Sequence, residues 1–131
     1  MEEGLTGIEL MAATAIERQG SDAEPEFLIS EARRRFPSKG YCSVYEWTVF
    51  RADVSADDLE TISSRGHLPF FVYAHRVAED SRGRFRPGEW VRSSMAISFD
   101  GVMFETKNTV YILQGAGHER LASLKTIFSF Y

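Results

Sequence analysis

Cysteine occurs once in the 131 residues, at Cys42, and that scarcity removes two classes of architecture. A single thiol closes no internal disulfide and builds no cysteine-based zinc cage. A nucleophile would also need a nearby base, which spacing alone cannot show, and Cys42 reads as a small, half-buried hydrophobe before a reactive thiol. Histidine is nearly as sparse. His67, His75 and His118 contain no i, i+4 pair and match no metal-binding motif. Neither a metal nor a cofactor is therefore expected. No serine sits in a G-x-S-x-G elbow, which leaves a serine hydrolase without support. No apolar run approaches the roughly 20 residues that cross a bilayer, and no membrane partner is expected. "MEEGLTGIEL" opens on two acids where a secretory leader opens on bases, so the expected location is cytoplasmic.

An excess of one charge is also missing. The net charge of −4 divides unevenly: residues 1–65 carry 13 acids and 7 bases, residues 66–131 carry 6 acids and 8 bases. So mild an asymmetry argues against wholesale binding of a phosphate backbone and is equally too mild for a DNA mimic. What the chain does have is core material. Hydrophobic residues make up 44% and aromatics 13%, ten of them Phe, enough for one packed domain over residues 1–131.

The first half reads as helical. Thr6-Gly7-Ile8-Glu9 fits a capping box. Ile8, Met11, Ala12, Ala15 and Ile16 then form one apolar stripe that Gly20 closes. Leu28, Ala32 and Phe36 mark a second helix that stops near Pro37. "YCSVYEWTVF" changes to a period of two: Val44, Glu46, Thr48 and Phe50 on one face, Ser43, Tyr45, Trp47 and Val49 on the other. Ser55-Ala56-Asp57-Asp58 caps a short third helix ended by Gly66. Beyond it lie strands. "FFVYAHRVA" and "EWVRSSMAISF" flank a turn-rich loop, Asp100-Gly101 signals a hairpin, and "NTVYILQ" follows. The last run, "LASLKTIFSFY", reads as helix at its start and strand at its end. The expected fold is α+β, with N-terminal helices packed on an antiparallel β-meander of four to six strands.

Two local patterns invite a chemical reading. Gly115-Ala116-Gly117 resembles half of a phosphate-cradling loop. It lacks the third glycine and the Lys-Ser/Thr of a P-loop, and "HERLASLK" is a weak helix start. A structural turn is the better reading. The loop "DSRGRFRPGEWVR" gathers Arg82, Arg84, Arg86 and Arg92 around Phe85 and Trp90. Arginine interleaved with aromatics suits a protein interface, and also suits stacking on bases and pairing with phosphates. The run Arg33-Arg34-Arg35 is more simply the charged end of the second helix.

Two resemblances bear on function. The order Arg51, then Ser93-Ser94, then Glu105 resembles the loose signature of ADP-ribosyltransferase-like folds. That likeness implies NAD held by arginine and serine, with glutamate stabilising an oxocarbenium-like transition state. The sequence departs from the pattern in lacking a fuller Ser-Thr-Ser strand, and in placing Met103 where a second acid or Gln belongs. The second resemblance rests on Arg84-Phe85, Pro87-Gly88, Trp90 to Ser94, Phe104-Glu105-Thr106, Asn108-Thr109, Tyr111 and Gly115-x-Gly117. This text is similar to a family of small bacterial proteins of unassigned function, found among phage and mobile-element genes. It implies a setting and no activity. The expectation that follows is a non-enzymatic binder acting on a bacterial protein or nucleoprotein complex, as an accessory or counter-defence inhibitor. The contact would use Arg82, Arg84, Phe85, Arg86, Trp90 and Arg92. A small NAD-binding enzyme and a nucleic-acid-binding regulator are the alternatives.

Overall fold

A computed structural model of the chain describes residues 16–129. The described residues form eight strands and three short helices, in the order β1 (Ile16–Arg18), α1 (Pro25–Arg35), β2 (Gly40–Ala52), α2 (Ala56–Ser64), β3 (Phe70–Asp80), β4 (Val91–Arg92), β5 (Ser98–Phe99), β6 (Met103–Glu105), β7 (Thr109–Leu113), β8 (Gly117–Ala122) and α3 (Leu124–Ile127). The domain is mixed and mostly strand.

β2 is the axis of the sheet. Its β-branched and aromatic residues sit between neighbours on both edges, so they are buried on both faces. One edge pairs antiparallel with β3. The other is shared: Gly40–Val44 pairs with β7 and Thr48–Ala52 with β8, and both pairings are parallel. The expected antiparallel meander is thereby corrected. A parallel partner must return by a long crossover, and here the sequence between β2 and β7 supplies it. The helices are likewise distributed along the chain and do not form an N-terminal layer.

The sheet curls on itself through residues 91–99. Ser93 N–H donates to Val72 O and Ala96 N–H to Phe70 O on β3, after which Ile97 N–H donates to Glu105 O on β6. The enclosed core contains Cys42, Val44, Trp47, Val49, Val72, Ala74, Val77, Phe104, Tyr111 and Leu113. Two smaller clusters lie elsewhere. α1 packs Leu28 and Ala32 with Tyr41, Val110 and Ile112, and α3 packs Ile127 with Phe50, Ala52, Phe71 and Ala122.

The strict alternation read in β2 also fails, for a local reason. Glu46 has φ of 55°, the one positive-φ residue among the described non-glycines. Val44 therefore joins Trp47 and Val49 in the enclosed core, while Phe50 belongs to the cluster under α3. A left-handed residue in mid-strand breaks the period of two.

The capping signals survive better. Ser55 Oγ accepts from Asp58 N–H at the start of α2, and Pro25 occupies the first turn of α1, with Arg33, Arg34 and Arg35 in its last turn. The β5–β6 hairpin forms as well. Its Asp100 carboxylate accepts from the N–H groups of Val102 and Met103, at 2.9 and 2.7 Å, and Gly101 supplies φ of 101°.

Two terminal readings need correction. Ile16, placed at the end of a first helix, lies in β1 and pairs with Glu119; the remainder of that helix, up to Ala15, lies outside the described residues. The last apolar run reverses its expected order. β8 comes first and α3 follows, because pairing with β2 outweighs the helical spacing of Leu121 and Leu124.

Candidate docking surface

Residues 81–90 join β3 to β4, and their arginines do unlike things. Arg84 turns inward. Its backbone N–H donates to Asp80 Oδ2 at 2.7 Å, and its guanidinium reaches both carboxylate oxygens at 3.1 Å. The Asp80 side chain is only 1% exposed. Burial pushes the Asp80 carboxyl up, but the hydrogen bonds and charge of Arg84 outweigh it and hold the group below its ordinary value. The same guanidinium lies over the Phe85 ring, and Phe85 packs against the enclosed core. Arg82 lies over Gly40, where an added Cβ would stand 2.7 Å from its Nε. Arg86 is anchored by its backbone, whose N–H donates to Glu89 Oε1, and its side chain is exposed.

Arg84 also acts on the core end it covers. Burial pushes the Tyr111 hydroxyl up to about 12, against the opposing pull of Arg84. Burial, followed by the charge of Asp80, pushes the Cys42 thiol up to about 12 as well. Cys42 is fully buried, more so than the half-buried position read from the sequence, and a neutral thiol there is a poor nucleophile.

The rings past the loop face outward. Trp90 stacks on Tyr73 with centroids 5.7 Å apart and planes at 28°, yet stays 43% exposed. Tyr73 meets His75 edge-on at 5.0 Å and pairs in register with Arg92. The Arg92 guanidinium lies 4.8 Å over the ring of Phe128, itself 38% exposed. The Tyr73–Arg92 pairing and these ring contacts bring the four together, with Trp90 and Phe128 exposed, Tyr73 half-buried and the Arg92 Nε and one terminal nitrogen buried. Sequence reasoning found Trp90 and Arg92 and missed Tyr73 and Phe128. The alternation of Tyr73 with His75 was the available signal for the first.

The four residues of the NAD-like pattern are engaged differently. Arg51 is exposed on β2. Ser93 is buried; its hydroxyl accepts from Val72 N–H and donates to Ser94 O. Ser94 is exposed. Glu105 accepts from Lys39 Nζ at 2.5 Å and from Ser98 Oγ at 2.8 Å. Burial raises its carboxyl, but Lys39 and Ser98 together bring it below its ordinary value. None of the four lines either of two surface clefts. One, of about 260 Å³, lies among Arg18, Gly20, Trp47, Asp100 and Glu119; the other, of about 270 Å³, lies between α1 and Val102–Met103.

Gly115 has φ of 67°, and at Gly117 an added Cβ would stand 2.3 Å from the Trp47 ring. The glycine pair turns the chain from β7 to β8 against an indole. His118 is exposed on β8. Among the described residues no group of three His, Cys, Asp or Glu is arranged to hold a metal ion, and no helix is long and apolar enough to cross a membrane.

A family of unassigned function, described as a domain of unknown function (DUF6957), matches residues 19–129. The chain belongs to this DUF6957 family. No curated protein and no solved structure matches it. The DUF6957 match takes in all of the outward surface, from Tyr73 to Phe128, and all of the loop closed by Asp80 and Arg84.

Proposed function

We propose that this DUF6957 domain is a non-enzymatic docking protein, and that the surface carrying Trp90, Tyr73, Arg92 and Phe128 meets a bacterial protein or nucleoprotein complex. The observation that carries the reading is Trp90, held flat against Tyr73 and still 43% exposed. Tryptophan, tyrosine and arginine are the residues on which binding energy concentrates, and a ring already fixed by stacking loses little freedom on contact. The setting, a phage or mobile-element accessory or counter-defence inhibitor in the cytoplasm, is supported by the resemblance of Arg84 to Gly117.

The test is capture of a partner from bacterial lysate by the full chain and by W90A/F128A, with thermal midpoints measured in parallel. The double variant loses the partner and keeps a midpoint within a few degrees of the parent. R86A weakens capture without abolishing it. Undiminished capture by W90A/F128A overturns the proposal, and capture that collapses steeply with salt moves it to a phosphate-backbone partner.

A further inference from the structure

The sheet divides in the middle of β2. That strand pairs with β7 over Gly40–Val44 and with β8 over Thr48–Ala52, so Tyr45, Glu46 and Trp47 lie between the two pairings. From there one branch runs through β7 to β6 and β5, the other through β8 to β1. A crevice opens where strands part in this way, as at the ligand-binding switch points of open sheets. Here it is the cleft of about 260 Å³. β8 and β1 bring Glu119 and Arg18 to it, the β5–β6 turn brings Phe99 and Asp100, and Trp47, almost wholly buried, is its floor. Backbone lies directly against that floor: an added Cβ would stand 2.8 Å from the indole at Gly20 and 2.3 Å at Gly117. The indole N–H donates to Gln114 O at 3.2 Å.

Charge selects the occupant. The cleft carries two carboxylates, and its one cation, Arg18, is engaged by Glu119 at 3.1 Å. Asp100 Oδ1 accepts from Val102 and Met103 N–H, and Oδ2 from Arg35. A carboxylate has about four acceptor sites, so Oδ2 has room for one more donor. Burial raises the Asp100 carboxyl, but these donors outweigh it and hold the group below its ordinary value. The Asp100 and Glu119 side chains are 44% and 27% exposed, within reach of solvent. An anion entering here would meet both. Sites for drug-sized ligands start at about 300 Å³, so the fitting occupant is one ring with a short chain. We infer that this cleft binds a small aromatic amine, its ring over Trp47 and Phe99 and its ammonium donating to Asp100 and Glu119. The site shares no residue with the Trp90 surface and does not depend on it.

Phenethylamine is the probe, titrated into the full chain by calorimetry at pH 7. It binds saturably at millimolar concentration. Hydrocinnamate, of similar shape and opposite charge, does not bind, and neither does ethylamine, which lacks the ring. E119Q weakens phenethylamine about threefold, and R18Q, which releases Glu119, tightens it by about the same factor; R18Q carries the test should E119Q fail to fold. W90F leaves Trp47 as the only tryptophan, and its emission changes with the midpoint found by calorimetry. Absence of saturable binding, equal binding of hydrocinnamate, indifference to both cleft variants or an unresponsive Trp47 each overturns the assignment.

Discussion

The two sides of the β3–β4 connection use similar residues in opposite ways. At the Asp80–Arg84 turn, a part-exposed arginine holds a buried carboxylate and lies over a phenylalanine packed on the core. A few residues on, a tryptophan lies against a ring and stays 43% exposed, and a half-buried arginine lies over the exposed ring of Phe128. Composition does not separate the two. Hydrogen-bond partners do: Arg84 has a carboxylate 1% exposed to hold, while Trp90 has only another ring. Arginine–aromatic text is therefore a reason to look for an interface, and the nearby acid decides whether the arginine is available to one.

The contrast can be broken from its interior side first. G117A, in the core that this turn closes, should lose about 3 kcal/mol on denaturant unfolding, since the Trp47 indole leaves no room for a methyl group. R84A comes next, at about 2 kcal/mol at pH 7, because it leaves a buried carboxylate short of its donors. The pH dependence sharpens that figure. The folded-state value of Asp80 is depressed, so its contribution is present above the unfolded value, about 3.9, and is lost as pH falls through the folded value. The gap between wild type and R84A should narrow below about pH 4, and a gap unchanged down to acid unfolding would remove Asp80 from the account. Cys42, buried in the same region with its thiol pushed up to about 12, should resist alkylation at pH 8 until the chain unfolds; rapid labelling of native protein would contradict it. On the outward side, W90A should cost less than about 1 kcal/mol, and a larger loss would mean that the ring is a structural part and not a contact.

What the sequence disclosed was local. The Ser55 cap, the stop of the second helix before Pro37, the Asp100-Gly101 hairpin and the β character of Tyr41 to Phe50 are each written within a few residues, and each is found. What stayed hidden depends on partners far along the chain. Nothing in "GHERLA" says that β2 lies beside it, and without that ladder Leu121 and Leu124 read as a helix face. Glu46 carries no glycine-like signal for its positive φ, so the face switch in β2 was invisible. At the candidate surface, Trp90 and Arg92 were legible as types, but Arg84 was grouped with them because Asp80, its buried partner, looks like any loop acid. The burial of Arg120 on β8, 2% exposed, gave no sign at all: an arginine alternating along a strand is ordinarily solvated.

The shared edge of β2 has a consequence for synthesis. Its two parallel neighbours are the segments ending at Leu113 and Ala122, so a chain leaving the ribosome carries β2 and β3 with one flank incomplete until Ala122 has emerged. Distant pairings of this kind form slowly and leave sticky intermediates. Truncation just short of Gly117 should therefore yield inclusion bodies and not a smaller soluble fold.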